Sequence, residues 1–244
     1  YKEMAEGDGH IKTGSVRRLI AGEPIGVFYG YRFDGIFQNE EECKQQTSSA
    51  SPIGVGLRRY KDLNGDGKVD AANDREILGD ANPKFFGGLT NTFAYKGFEL
   101  NVFLQYSYGN KILNYNAMEL ENPTGGQNAY ADMVNRWTPE NPSNIYPKAT
   151  TNRAILASDR FIEDGSYLKL KTLSLSYSFP KINMKHIQGL RLYVTGQNLL
   201  TWTKYRGYDP EVSYRGASTL EAGEDFGGYP QSRTFMFGVK LDIK

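Results

Sequence analysis

The segment with the clearest potential for chemistry is an acidic, glycine-containing stretch at residues 62–74. Side chains with oxygen ligands recur at positions 1, 3, 5 and 9 of a calcium loop of the EF-hand type, namely Asp62, Asn64, Asp66 and Asp70. Gly67 at position 6 permits the sharp turn that lets such oxygens surround one hard cation. The backbone carbonyl of Lys68 and the carboxylate of Asp74, one residue late, would complete the set. The spacing predicts a Ca²⁺ site formed by Asp62, Asn64, Asp66, Lys68, Asp70 and Asp74; the alternative is a polar Asx-Gly turn.

Residues for nucleophilic or acid–base catalysis are sparse. The chain has only two histidines, in different regions, and no G-x-S-x-G elbow. The adjacent carboxylates Glu163-Asp164 and Glu224-Asp225 would serve a glycoside hydrolase only if they converged in a cleft. Neighbouring charges on loops are more often solvated. The sequence therefore predicts that the protein is not an enzyme.

The composition excludes several other function classes. The 244 residues carry a net charge of +1, so no broad basic surface for nucleic acid is indicated. The single cysteine, Cys43, rules out an intrachain disulfide and a cysteine-based metal site. No apolar run reaches about 18 residues, so no transmembrane helix is predicted. Aromatic residues at 13%, with 27 glycines and 10 prolines, favour many short strands over helices.

Alternating apolar and polar residues indicate the strands that must position these groups. The clearest case is 98–108, where Phe98, Leu100, Val102, Leu104, Tyr106 and Tyr108 share one face. Phe103 is the single apolar residue on the other face. The same period of two recurs at 173–179 and 235–243, and weaker versions run over 25–37, 85–95 and 190–200. Six strands are predicted.

The connections between these strands alternate between short and long. Residues 96–97 and 180–189 are short links, whereas 38–83, 109–165 and 204–231 are far longer than the loops of ordinary compact domains. Short turns on one side and long loops on the other are typical of an outer-membrane barrel. Aromatic residues near the strand ends suit its interfacial girdles. A soluble β-sandwich remains the alternative, and whether residues such as Leu100, Val102 and Phe237 face outward decides between the two.

The long connections contain local structure of their own. Asn39 before three glutamates predicts a short helix, and Asn128 predicts a second one that ends at 138–139. Aromatic residues are frequent here, for example Trp137, Tyr146 and Tyr214. Such rings can stack on sugars or pack against a peptide, but we expect most of them to fold the loops.

Eight phrases in order resemble a known family. They are GVFYGYRFDGIF at 26–37, DLNGDGKVD at 62–70, GDANPKF at 79–85, YKGFEL at 95–100, RWTPENP at 136–142, DGSYLKL at 164–170, VTGQNL at 194–199 and GYDPE at 207–211. This set is similar to the C-terminal quarter of the SusC/RagA-like TonB-dependent outer-membrane transporters, from about residue 22 onward. The family's acidic loop usually has one residue fewer before its final aspartate.

The resemblance implies a fold and a function. The fold is all-β: residues 1–244 form the C-terminal part of a transmembrane antiparallel β-barrel with long extracellular loops, and the plug and N-terminal strands lie outside this chain. The implied function is TonB-dependent import of oligosaccharides or peptides across the outer membrane of a Gram-negative bacterium. The implied partners are a SusD-like surface lipoprotein, TonB through the missing N-terminal part, the imported ligand and membrane lipid, with no nucleic acid.

Two other functions remain open at this point. A soluble calcium-dependent carbohydrate-binding β-domain would turn the apolar faces of its strands inward. A β-rich hydrolase would bring two carboxylates together in a cleft.

Overall fold

The computed structural model describes residues 10–12, 16–122, 128–151, 155–180, 186–211, 214, 216 and 220–243. The chain forms two compact units. The first, here called the loop unit, comprises Tyr1–Asn82, Asn110–Asp164 and Glu211–Gly228. The second, here called the sheet unit, comprises Pro83–Gly109, Gly165–Pro210 and Tyr229–Lys244.

Within the described residues the chain forms sixteen strands, two α-helices and two 3-10 helices. The strands are β1 His10–Lys12, β2 Arg17–Ile20, β3 Val27–Gly30, β4 Phe33–Ile36, β5 Thr47–Ser48, β6 Arg58–Tyr60, β7 Lys68–Val69, β8 Glu76–Gly79, β9 Phe85–Tyr95, β10 Phe98–Tyr108, β11 Lys111–Asn114, β12 Ile162–Asp164, β13 Tyr167–Phe179, β14 Ile187–Thr203, β15 Glu224–Asp225 and β16 Thr234–Ile243. The helices are α1 Glu40–Gln45 and α2 Tyr115–Leu120, and the 3-10 helices are Ala131–Asn135 and Asp159–Phe161. No helix in the described ranges is long and apolar enough to cross a membrane.

The sheet unit is one antiparallel sheet of five long strands in the order β16-β14-β13-β10-β9. Each strand pairs with its neighbour along the chain, as in an up-and-down barrel wall. Strands β9 and β10 have the predicted bounds, and β13, β14 and β16 contain the predicted segments 173–179, 190–200 and 235–243. The sheet is not closed, because β9 and β16 are its two edges.

The link between β9 and β10 is a two-residue turn at Lys96 and Gly97. Their φ values are +46° and +89°. Two successive residues with positive φ are what a type I′ hairpin turn requires, because its twist matches that of the strands. Glycine meets this requirement without steric cost, and a Cβ at Gly97 would lie 2.7 Å from the Ser178 carbonyl oxygen. The short link predicted from the sequence is therefore a tight turn.

The register separates the sheet into an apolar and a polar face. One row of directly paired residues on the apolar face is Phe93, Leu100, Leu175, Val194 and Phe237. The corresponding row on the polar face is Thr92, Asn101, Ser174, Thr195 and Met236. Several side chains of the apolar face are exposed, among them Phe93, Leu175 and Phe237 (82%), and others such as Leu100 and Val194 are half-buried. A β-sandwich would bury this face against a second sheet, so its exposure favours a lipid-facing wall.

Aromatic rings pack together at both ends of the long strands. At the end with the tight turn, Tyr177 lies 4.5 Å from Phe98 and 4.8 Å from Phe179 between ring centroids. At the other end, Phe85 stacks on Tyr108 at 4.9 Å. A strand of 11 residues is about 35 Å long, and a tilt of about 40° gives a rise of about 25 Å, the height of an outer-membrane apolar band.

The loop unit is built from short strands around a small core. Its sheets have the orders β1-β2-β3-β8 and β12-β11-β15, with the pairs β4-β6 and β5-β7. The larger core cluster consists of Val16, Phe28, Leu113, Ala117, Met118 and Phe161. The prediction of one strand over 25–37 is wrong, because the segment forms β3 and β4 and Gly35 takes a φ of +98°.

The predicted helices are confirmed in part. Helix α1 begins after Asn39, whose side chain accepts a hydrogen bond from the Glu42 backbone N–H. The second predicted helix is a 3-10 helix that follows Tyr130, without the Asn128 cap. Helix α2 was not predicted; the Asn114 side chain caps it, and it buries Ala117 and Met118.

Candidate functional site

The acidic loop lies between strands β6 and β8 and contains the short strand β7. Gly65 and Gly67 have φ values of +76° and +81°, in the left-handed region that glycine adopts readily. Their N–H groups donate to Asp62 Oδ1 and Oδ2, both at 2.7 Å. The sharp turn predicted at Gly67 is therefore present, and Asp62 holds it.

The next two acidic-loop residues continue the same local bonding. Asn64 Oδ1 accepts from the Asp66 backbone N–H at 3.2 Å, and Asp66 Oδ1 accepts from that of Lys68 at 2.8 Å. Asn64 Nδ2 donates to Asp66 Oδ2 at 3.0 Å. These are Asx turns in series, in which each side chain satisfies a backbone group two residues on. All of these groups are exposed.

Asp70 and Asp74 close the C-terminal half of the loop. Asp70 Oδ1 accepts from the N–H groups of Asn73 and Ala72, which lowers the pKa of Asp70. Asp74 is fully buried and accepts from the N–H of Leu63 at 2.8 Å and of Asp70 at 2.7 Å. Asp74 thus joins the two ends of the loop.

The carboxylates of the acidic loop have hydrogen-bond partners within the loop itself. The carboxylates are directed at backbone N–H groups, and Lys68 Nζ lies 3.3 Å from Asp70 Oδ2. Across the residues that the structure describes, no three Asp, Glu, His or Cys side chains are grouped so as to hold a metal ion. Calcium bound by Asp62, Asn64, Asp66, Lys68, Asp70 and Asp74 therefore stays a prediction.

Two variants distinguish a calcium site from a loop closed by its own hydrogen bonds. With a chelator present, Asp74→Ala is expected to loosen the loop, because two backbone N–H groups lose a buried acceptor. This loss should lower the stability of the loop by about 1–3 kcal/mol. Asp66→Ala removes an exposed acceptor and should change little under that condition. If calcium binds, it should protect the wild-type loop from hydrogen exchange, and Asp66→Ala should abolish this gain.

The measurement is hydrogen exchange over residues 58–79 of the intact protein, with calcium and with chelator. Magnesium at the same concentration is the control, because it demands a smaller octahedral site. Equal exchange of the wild-type loop in calcium and in chelator would reject the metal site.

The polar face of the sheet unit carries charged groups that bond across strands. Arg191 on β14 donates to Glu99 Oε1 on β10 at 2.6 Å and to Ser176 Oγ on β13 at 2.7 Å. Ser174 and Thr195 lie 2.7 Å apart through their hydroxyl oxygens. A face with ion pairs and hydroxyls, opposite an apolar face, fits the inner side of the outer-membrane barrel predicted from the sequence.

One ion pair of the polar face is buried. Lys169 Nζ on β13 lies 2.6 Å from Asp209 Oδ1, with side-chain exposures of 3% and 8%. Asp209 Oδ2 also accepts from the Gln231 backbone N–H at 3.3 Å. Since Asp209 and Gln231 lie near the two ends of the connection 204–231, the pair anchors both ends of that connection to β13.

Among the described residues of the loop unit, Arg17 and Arg160 form ion pairs with buried glutamates that the sequence did not reveal. Arg17 Nε lies 3.1 Å from Glu224 Oε1, and the guanidinium also donates to the carbonyl oxygens of Gly26 and Ala222. Arg160 Nη2 lies 2.5 Å from Glu121 Oε2. Burial lowers the pKa of Arg17, and Glu224 opposes that shift. No sequence signal marks such pairs, since Arg17 and Glu224 are 207 residues apart.

The carboxylates considered for a hydrolase have structural partners instead. Glu224 pairs with Arg17, and Asp225, fully buried, accepts from the Gly228 N–H at 3.2 Å. Glu163 accepts from Asn114 Nδ2 at 3.0 Å. These bonds favour a structural role for them over catalysis.

Comparison with known proteins finds relatives of one kind, although no protein-family model matches the chain. TonB-dependent receptor P3 of Formosa agariphila is 39% identical over 239 residues, which are 96% of this chain and 24% of the receptor. TonB-dependent receptor SusC of Bacteroides thetaiotaomicron is 28% identical over 192 residues, covering 75% of this chain and 17% of SusC.

Solved structures agree in fold. The RagAB peptide transporter structure matches 95% of this chain with a TM-score of 0.75 at 24% identity, and the chain covers 24% of its counterpart. The RagAB peptide importer in its "closed-closed" state matches 97% with a TM-score of 0.73. The chain thus spans about a quarter of the length of the curated receptors of Formosa agariphila that it matches.

Proposed function

Because this chain corresponds to part of a SusC/RagA-like TonB-dependent receptor, we propose that it forms barrel wall and loops of an outer-membrane nutrient importer of a Gram-negative bacterium. The cargo would be oligosaccharides or peptides, and TonB would drive their uptake through a part of the protein outside this chain. A SusD-like surface lipoprotein would be the partner. The relatives are named as receptors and transporters, not enzymes.

The observation that carries this proposal is the two-sided sheet. Five antiparallel strands present an exposed apolar face, aromatic bands at both ends and a charged opposite face. Lipid on one side and water on the other would satisfy these faces. A soluble carbohydrate-binding domain would leave the apolar face in water, so the alternative is disfavoured.

The open edges of the sheet support the view that other strands complete the wall. Strands β9 and β16 each pair on one side only within the described residues. Unpaired backbone groups cost several kcal/mol each in hydrocarbon, so a membrane sheet must close on itself. We infer that further strands of the same receptor pair with β9 and β16.

The test is uptake by living cells. One strain lacks the receptor gene, a second lacks TonB, and both receive either a labelled oligosaccharide pool or a labelled short-peptide pool. Uptake of one pool is expected to fall in both strains, whereas uptake of the other pool stays at the wild-type rate. If the uptake of neither pool depended on the receptor, or if the receptor-dependent uptake did not need TonB, the proposal would be wrong.

A further inference from the structure

An aromatic cavity in the loop unit is not explained by the barrel wall. Its volume is about 320 Å³, and its lining residues are Tyr115, Glu119, Tyr214, Glu224 and Phe226. Cavities from roughly 300 Å³ upward accommodate small ligands. The cavity is therefore large enough for one side chain of a ligand or one small ring.

Local structure holds the lining residues in place. Tyr115 and Glu119 are four residues apart on helix α2, which puts them on one face of the helix. Strand β15, which contains Glu224, pairs in parallel with β11, the strand directly before α2. The Gly227 N–H donates to Asn116 Oδ1 at 2.8 Å and so ties the segment after β15 to α2.

Phe226 packs against both tyrosines of the cavity. Phe226 lies 5.9 Å from Tyr115 at an interplanar angle of 80°, and 5.4 Å from Tyr214 at 85°. Both tyrosines therefore stand nearly perpendicular to Phe226. Sugar rings stack on one flat aromatic platform, whereas rings set at right angles surround a compact cation with several π faces.

The charges of the cavity favour the same ligand. Arg17 balances the charge of Glu224, and both side chains are buried. Glu119 is exposed, and its carboxylate makes no ion pair with any residue that the structure describes. One uncompensated negative charge beside three rings attracts a cation.

We propose that the aromatic cavity binds the cationic ammonium group of an organic ligand, with Phe226 and the two tyrosines around the ammonium and Glu119 as its counter-charge. Two ligands of the proposed importer carry this chemistry, a lysine side chain of a peptide and an amino sugar. The inference names a ligand group for the loop unit and concerns binding, not transport.

The experiment measures binding to the purified full-length receptor in detergent by saturation-transfer NMR titration. Nα-acetyl-lysine amide and glucosamine are the cationic probes, and Nα-acetyl-norleucine amide and N-acetylglucosamine are their neutral controls. At least one cationic probe is expected to bind with saturation, and its neutral control to bind at least about fivefold more weakly. The cationic probe that binds, the lysine derivative or glucosamine, identifies the source of the ammonium group.

Variants assign the binding to the cavity. Phe226→Ala is expected to weaken the binding of the cationic probe by about fivefold or more. Tyr229→Ala, at an exposed ring outside the cavity, should leave this binding unchanged. Glu119→Gln should weaken binding and reduce its salt dependence. Equal binding of cationic and neutral probes, or equal effects of Phe226→Ala and Tyr229→Ala, would overturn the proposal. Because the readout is binding, such a failure leaves the import proposal untouched.

Discussion

Arg17→Met is expected to lower the free energy of unfolding of the loop unit by about 3–5 kcal/mol. The Glu224 carboxylate, with a side-chain exposure of 7%, would remain buried without its partner. The carbonyl oxygens of Gly26 and Ala222 would also lose their donors, and Phe28 would lose a guanidinium 4.0 Å above its ring. The measurement is the hydrogen-exchange protection of β2 and β3 in the full-length receptor.

Two further variants test the reason for this loss. Arg17→Met combined with Glu224→Leu removes the unpaired charge and should recover much of the protection. Arg59→Met is the matched control, because Arg59 pairs with Asp34 and Glu42 at the surface of the same unit, with 31% of its side chain exposed. The control variant should lower the free energy of unfolding by at most about 1 kcal/mol. Unchanged protection in Arg17→Met would contradict the role assigned to the pair.

The long sheet could be predicted from sequence because its pattern is imposed along every strand. A strand between lipid and water must alternate, so 85–95 and 98–108 were predicted with the bounds that the structure shows. The exception, Phe103, lies on the polar face, and its ring covers Gly88 of the neighbouring strand, where a Cβ would come within 2.6 Å of Phe103 Cε2. Apolar patterns in short segments do not carry the same information, and 25–37 forms two small strands of the loop unit.

The acidic loop and the aromatic cavity also differ in how far the sequence could predict them. The turns of the acidic loop follow from local bonds of Asp62, Asn64 and Asp66 to backbone groups within five residues, so spacing was sufficient to predict the sharp turn at Gly67. The aromatic cavity joins helix α2 to Tyr214 and Phe226, about a hundred residues away. A six-residue helix is stabilised by burial of Ala117 and Met118, which no local pattern reveals. Contacts of that kind depend on the tertiary fold.

Val102→Arg should destabilise the barrel by about 2–4 kcal/mol, because the side chain lies near the middle of β10 on the apolar face. Its partners in the sheet are Leu173 on β13 and Asn91 on β9. A charged side chain there must either enter hydrocarbon or bend toward an interface about 12 Å away. The measurement is reversible urea unfolding of the full-length receptor in lipid vesicles.

Asn101→Arg is the matched control for this prediction. Asn101 is adjacent to Val102 at nearly the same depth, but on the polar face, where its Nδ2 donates to Thr92 Oγ1 at 2.9 Å. An arginine on this face can remain hydrated inside the barrel, so the loss in the free energy of unfolding should stay below about 1 kcal/mol. Equal losses for the two variants would show that both faces meet the same environment. That outcome would reject the lipid-facing assignment of Leu100, Val102 and Phe237, and with it the membrane-spanning role of the sheet.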